Sequence, residues 1–141
     1  VILIPEGEQG RRFDLLLATD RDYPMQTATG WIAPTPMVAT DKGPPGGVTS
    51  SWLGHIDLPS LLLTSLRPDE PGNGFSRAIS ARFLETATYS GAADMRFARP
   101  PVQAALINGE GEVLHDLALR EGAAPLEFSA GEVIRVKVQW E

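Results

Sequence analysis

Carboxylates are the first side chains in this sequence to test for chemistry. Hydrolysis by a carboxylate pair needs two carboxylates held a few ångströms apart, one as nucleophile and one as acid. The chain has 18 acidic residues, and the candidate pair, Asp20 and Asp22, is interpreted as a solvated strand end. The alternative is an oxygen-ligated Ca²⁺, because hard cations take clustered carboxylates and carbonyls. The Gly and distal Glu of a calcium-binding loop do not accompany this pair.

Imidazoles and hydroxyls form no recognisable motif either. The two histidines, His55 and His115, are interpreted as core or rim residues of alternating strands. A zinc site needs about three or four protein ligands, and neither His-x-His nor His-Glu-x-x-His occurs. No matched partner marks either histidine as a catalytic base. The Gly-x-Ser-x-Gly nucleophile motif is also absent. We therefore assign no catalytic residue and no metal ligand to this chain.

The tryptophans are the remaining candidates for ligand contacts, because aromatic faces stack on sugar rings and on protein partners. Trp140 lies on the same predicted face of the last strand as its apolar residues, and Trp52 begins an apolar run. We therefore expect both tryptophans in the core. Trp31 lies in an irregular segment and is the candidate substrate-binding or interface residue.

Length and composition indicate one soluble domain spanning residues 1–141. The chain is 43% hydrophobic and 21% charged, which is ordinary for a globular protein. Its net charge of −6 disfavours nucleic acid and anionic membranes as partners. There is no Cys, and no run reaches the ~20 apolar residues of a membrane span. The compartment is not identified, and the cytoplasm is favoured. Because Val1–Ile4 resembles the interior of a strand, we expect the chain to be a piece of a longer polypeptide.

Alternation with a period of two predicts an all-β fold. One face of each alternating segment is apolar, in the sets Phe13, Leu15, Leu17; Ala93, Met95, Phe97; and Ile134, Val136, Val138, Trp140. The segment from Val102 to Ile107 is apolar on both faces, which predicts a central strand. About nine strands of this kind favour a two-sheet antiparallel β-sandwich.

Turn signals separate these segments. Asn108-Gly109 predicts a hairpin with a type I′ turn, and Glu121–Pro125 predicts a second turn. The stretch from Asp20 to Ser50 is rich in Pro and Gly, and we expect it to be irregular, with at most a short strand from Thr27 to Ala33 and a loop from Asp41 to Gly47. Loops this long in a compact domain tend to be functional or to be ordered by a neighbour.

Two charges lie inside an apolar strand-like run. Arg82 and Glu85 are three residues apart, so on a strand they point to opposite faces. Both faces are largely apolar, so we expect at least one of these charges to be partly buried. A buried charge must be paired or hydrogen-bonded.

The same region carries a resemblance to a known family. Thr64–Glu70, a turn cluster, and then Arg82–Glu85 resemble two strand motifs in the C-terminal β-sandwich of glycoside hydrolase family 38, the α-mannosidases. Two positions depart from the family pattern. Arg67 stands where the first motif usually has Lys. Ser129–Val136 resembles the closing strand of the family, and the usual Thr of that strand is Arg135 or is missing.

The resemblance implies a non-catalytic domain of a glycosidase. In that family a separate N-terminal domain supplies the carboxylate nucleophile and a divalent, zinc-like metal, and the β-sandwich buttresses it. The implied partners are therefore the catalytic and other domains of the same polypeptide and a carbohydrate substrate. No cofactor is expected in this chain. The alternative is a free-standing carbohydrate-binding or immunoglobulin-like interaction module, since a sandwich hosts many functions.

Overall fold

The computed structural model describes residue 7 and residues 14–33, 52–69 and 77–141. Within these ranges the chain forms one helix and eight strands: α1 (Pro24–Ile32), β1 (Gly54–Ile56), β2 (Leu61–Pro68), β3 (Ala78–Glu85), β4 (Gly91–Phe97), β5 (Gln103–Ile107), β6 (Val113–Asp116), β7 (Ala123–Phe128) and β8 (Val133–Gln139). None of the helical structure in these ranges is long and apolar enough to cross a membrane.

The strands form two antiparallel sheets that pack face to face, so the predicted all-β sandwich is confirmed. One sheet has three strands in the order β1-β4-β7. The other has five strands in the order β2-β3-β8-β5-β6. Strands β1 and β2 are therefore edge strands, one in each sheet.

The core lies between the sheets and follows the predicted alternation. On β8, Ile134, Val136 and Val138 are buried, while the residues between them are more exposed. On β4, Met95 and Phe97 point into the same core. Strand β5 is buried on both faces and pairs with β8 and β6, which confirms the predicted central strand. One-sided burial explains the alternation, because successive strand residues face opposite sides of a sheet.

The predicted irregular stretch contains a helix instead of a short strand. Helix α1 begins at Pro24, where proline's fixed φ suits the first turn and its missing N–H is not needed. This helix includes Trp31 and most of the segment predicted as the Thr27–Ala33 strand, so that prediction is wrong. The predicted Asp41–Gly47 loop and Val1–Ile4 strand lie outside the described residues.

The predicted strand around Leu15 and Leu17 is also wrong for the residues that can be described. Residues 14–19 belong to neither sheet, and both leucines are almost fully exposed. Alternation alone does not make a strand, because the backbone groups of a strand need a paired neighbour. Phe13 lies outside the described residues.

The two predicted turns differ from expectation in which residues have a positive φ. A hairpin does join β5 to β6 after Asn108, but its positive φ is at Gly111, and the Asn108 side chain accepts hydrogen bonds from two loop amides. The two-residue turn with positive φ at both positions is Glu121-Gly122 (φ 51° and 78°). It leads directly into β7, so the turn predicted over Glu121–Pro125 is shorter than expected and its last three residues belong to the strand. Pro125 is tolerated there because β7 is an edge strand.

Candidate functional site

An apolar cleft opens between the two sheets beside the edge strands β1 and β2. It has a volume of about 500 Å³. Leu61, Ala81 and Phe83 of the five-stranded sheet form one wall, and Met95 and Phe97 of β4 form the facing wall. The cleft exists because β1 is only three residues long and covers little of the five-stranded sheet opposite.

The rim of this cleft is also apolar. Leu63 and Leu66 of β2 line it and are 47% and 46% exposed. Leu53, before β1, lines it as well and is similarly exposed. Helix α1 reaches the rim through Gln26, whose side-chain amide donates a hydrogen bond to the Pro59 carbonyl at 3.0 Å. The cleft thus offers hydrophobic contact with few directional polar groups.

One acid–base couple lies at this rim. The His55 imidazole Nε2 is 3.1 Å from a carboxylate oxygen of Asp57, and both side chains are well exposed. The edge of the Trp52 ring meets His55, with ring centroids 6.3 Å apart. Sequence reasoning found no partner for His55. The two-residue spacing between His55 and Asp57, which directly follows β1, is the signal in the sequence that could have indicated this contact. Both side chains are exposed, and within the described ranges no hydroxyl or thiol is hydrogen-bonded to His55.

A second cleft of about 540 Å³ lies beside the end of β8 and is lined by Trp52, Trp140, Arg77 and Arg99, with Leu53, Ala98 and Glu141. Trp140 is held by three contacts. Its backbone amide donates to the Arg77 carbonyl at 2.7 Å, its indole N–H donates to the Arg99 carbonyl at 2.9 Å, and its ring meets Phe97 edge-on. This cleft combines aromatic side chains with two arginine residues.

The tryptophans predicted from sequence divide between exposed and half-buried positions. Trp140 is half-buried and packs against the core, as expected from its alternation with the apolar residues of the last strand. Trp52 is 54% exposed, so the prediction that it lies in the core is wrong. It follows a segment outside the described residues and precedes β1, where the sandwich is thin. Trp31 is 46% exposed on α1 and lines neither cleft, so its role as a substrate-binding residue stays a prediction.

The remaining candidate residues are dispersed. Asp20 and Asp22 are exposed outside regular structure, and His115 is exposed on the edge strand β6. Across residues 14–33, 52–69 and 77–141, no three His, Asp or Glu side chains form a group that could hold a metal ion. The structure therefore brings none of these predicted candidates together.

Of the two charges predicted to lie in an apolar strand, Glu85 is the buried one. Its side chain is 2% exposed, while Arg82 is exposed on the opposite face. The Glu85 carboxylate accepts hydrogen bonds from the backbone amides of Gly131, Ala87 and Thr88 at 2.9, 2.6 and 3.0 Å. The hydrogen bond from Gly131 has the largest effect on the pKa of Glu85. Together the three bonds lower this pKa and outweigh the opposing effect of burial. All of its observed partners are backbone groups, which indicates a structural role.

Comparison of the chain with models of protein families, with curated proteins and with solved structures found no match. The geometry of the two clefts is therefore what bears on function.

Proposed function

We propose that this chain is a non-catalytic β-sandwich domain that packs against a further domain of the same polypeptide through the cleft between β1 and β2. The apolar character of that cleft and of its rim is the observation that carries the proposal. Apolar surface left in water forfeits roughly 25 cal/mol per Å², so an open cleft of this kind favours a covering partner. Contiguous exposed apolar patches commonly mark interaction sites.

The resemblance to family 38 supplies the identity of the proposed partner. Strand β2 carries the motif that begins at Thr64, and β3 carries the motif from Arg82 to Glu85. The two strands are antiparallel neighbours, which supports the strand–turn–strand interpretation on which the resemblance rests. The whole protein would then be an α-mannosidase-like glycosidase. Its carboxylate nucleophile and divalent metal would belong to the catalytic domain, and this domain would buttress it.

Hydrogen exchange tests this proposal directly. The chain is expressed alone and within the complete polypeptide that its gene encodes, and amide exchange is followed by mass spectrometry. We expect residues 53–66 to exchange more slowly in the complete protein, because a docked domain would cover the cleft. The control is β6 (Val113–Asp116), which is exposed at the opposite edge of the five-stranded sheet.

Two results would contradict the proposal. One is equal exchange of residues 53–66 in both forms. The other is a gene that encodes no further domain.

The second cleft favours one other function, carbohydrate binding. Trp52 offers an exposed aromatic face beside the fixed ring of Trp140, and Arg77 and Arg99 offer donors for sugar oxygens. Tryptophan fluorescence during titration with mannobiose tests it. We expect Trp52→Ala to abolish the fluorescence change and Trp31→Ala to retain it. The reverse result would assign carbohydrate binding to Trp31. No fluorescence change in the parent chain would reject binding at either tryptophan.

A further inference from the structure

Three arginines from three neighbouring strands lie on the outer face of the five-stranded sheet. They surround a small cleft of about 90 Å³, whose polar lining is Ser65 and Arg67 of β2, Ser80 and Arg82 of β3, and Arg135 of β8. The strand register explains why these residues are neighbours. Ser65 pairs with Arg82, Arg67 pairs with Ser80, and Arg82 pairs directly with Arg135.

The three guanidinium groups have no carboxylate partner among the residues that the structure describes. The Arg82 Nε donates to the hydroxyl of Thr64 at 2.9 Å. The Arg135 guanidinium donates to the carbonyls of Asn108, at 3.0 Å, and Gly109. These acceptors are neutral, so they do not cancel the charge of the side chains. They hold Arg82 towards β2 and Arg135 towards the loop between β5 and β6. Like charges directly opposite on neighbouring strands destabilise a sheet.

One acidic side chain beside the cleft is already engaged. Asp69 forms an ion pair with Lys137 and accepts a hydrogen bond from Ser80 at 3.0 Å. The hydrogen bond from Lys137 is the largest cause of the lowered pKa of Asp69. This carboxylate therefore stays ionised and paired with the lysine. The arginine cluster is therefore a local positive site on a chain whose net charge is −6.

We propose that this cleft, which we call the arginine cleft, binds a tetrahedral dianion, either free phosphate or sulfate or the same group as a monoester on a larger ligand. Each guanidinium presents planar N–H donors that match oxyanion geometry, and such charge-assisted bonds are the strong ones. A volume of about 90 Å³ is roughly three times the ~30 Å³ that a water molecule occupies in the liquid, which leaves room for one phosphate-sized group. The Ser65 hydroxyl adds a further possible donor.

Solution NMR at constant ionic strength, held with NaCl, tests the proposal. The folded chain is titrated separately with inorganic phosphate, phenyl phosphate, sodium sulfate and sodium acetate. We expect saturable shifts of the amides of Arg67, Arg82 and Arg135 with the dianions, at a Kd on the order of 1 mM, and little response to acetate. Binding of phenyl phosphate would identify a monoester site, and binding of the inorganic ions alone would identify a free-anion site.

A matched pair of variants locates the site. Arg67→Gln removes one guanidinium, which has no hydrogen bond to another described residue, and is expected to weaken phosphate binding about tenfold. Arg96→Gln removes an exposed arginine from β4 in the other sheet and is expected to bind as the parent chain does.

The proposal is overturned if no dianion causes saturable shifts in the parent chain, if the shifts map elsewhere, or if the two variants bind equally. The mapping of shifts in the parent chain decides the question even if a variant fails to fold.

Discussion

The carboxylate of Glu85, the last residue of β3, accepts a hydrogen bond at 2.9 Å from the backbone amide of Gly131, which lies 46 residues further along the chain. Gly131 is in the turn between β7, of the three-stranded sheet, and β8, of the five-stranded sheet. The same carboxylate binds the amides of Ala87 and Thr88, at the start of the connection to β4. One buried side chain thus joins two connections between the sheets.

Removing this carboxylate should destabilise the domain far more than removing an exposed one. Glu85→Ala leaves three part-buried hydrogen bonds from backbone amides without their acceptor, whereas Glu132→Ala removes an exposed carboxylate that accepts one bond, from the Ser129 amide. We expect a clearly lower urea midpoint for Glu85→Ala than for Glu132→Ala. Equal midpoints would show that Glu85 behaves as ordinary surface.

The contribution of Glu85 should depend on pH in a defined direction. Its pKa in the folded state lies below the ordinary value of 4.5, so its stabilising effect is complete above that pH and is lost as the pH falls through the folded-state pKa. We expect the difference in urea midpoint between the parent chain and Glu85→Gln to be constant near neutral pH and to narrow below pH 4.5. Subtracting the two curves cancels the other carboxylates, including Asp69. A difference that widens on acidification would contradict the assigned direction.

Gly131 should be sensitive to substitution through its backbone conformation alone. Its φ is +70°, and an added Cβ would meet nothing within 4 Å. We expect Gly131→Ala to cost about 1–2 kcal/mol of unfolding free energy, because an L-residue with a side chain is strained at that φ. Gly109→Ala is the matched control. Gly109 also has open space around its Cβ position but lacks a positive φ, so its substitution should be nearly neutral in the same denaturant melts.

Packing between the sheets predicts a contrast between two leucines. Leu126 on β7 is fully buried against the five-stranded sheet, and Leu114 on β6 is 63% exposed. We expect Leu126→Ala to cost about 2–5 kcal/mol through lost burial and a residual cavity. Leu114→Ala should change stability by no more than about 0.5 kcal/mol. Similar urea midpoints for the two variants would contradict the assigned core.

Much of the sandwich could be read from local patterns. The alternation on β8 and β4 predicted which of their residues are buried, because burying one face of a strand imposes a period of two on the sequence. The apolar segment around β5 predicted a central strand because burial of both faces removes the polar alternation. The placement of Arg82 and Glu85 on opposite faces predicted a buried charge, and Glu85 is that residue.

Local patterns failed where a distant part of the chain decided the outcome. Leu15 and Leu17 alternate like a strand but have no place in either sheet, whereas β7 forms beside β4 despite its proline. The Pro and Gly of this stretch predict irregular structure, yet Pro24–Ile32 is a helix, because Pro suits the first turn of a helix.

The sequence by itself determined the fold class and most inward-facing residues, since these depend on hydrophobic periodicity within each segment. Only the tertiary structure decided which strands are neighbours. That pairing opens the cleft between β1 and β2, brings Gly131 to Glu85, and gathers Arg67, Arg82 and Arg135 on one face. Strand pairing joins residues far apart in the chain and is selected by burial of the whole sheet, so spacing along the sequence does not specify it.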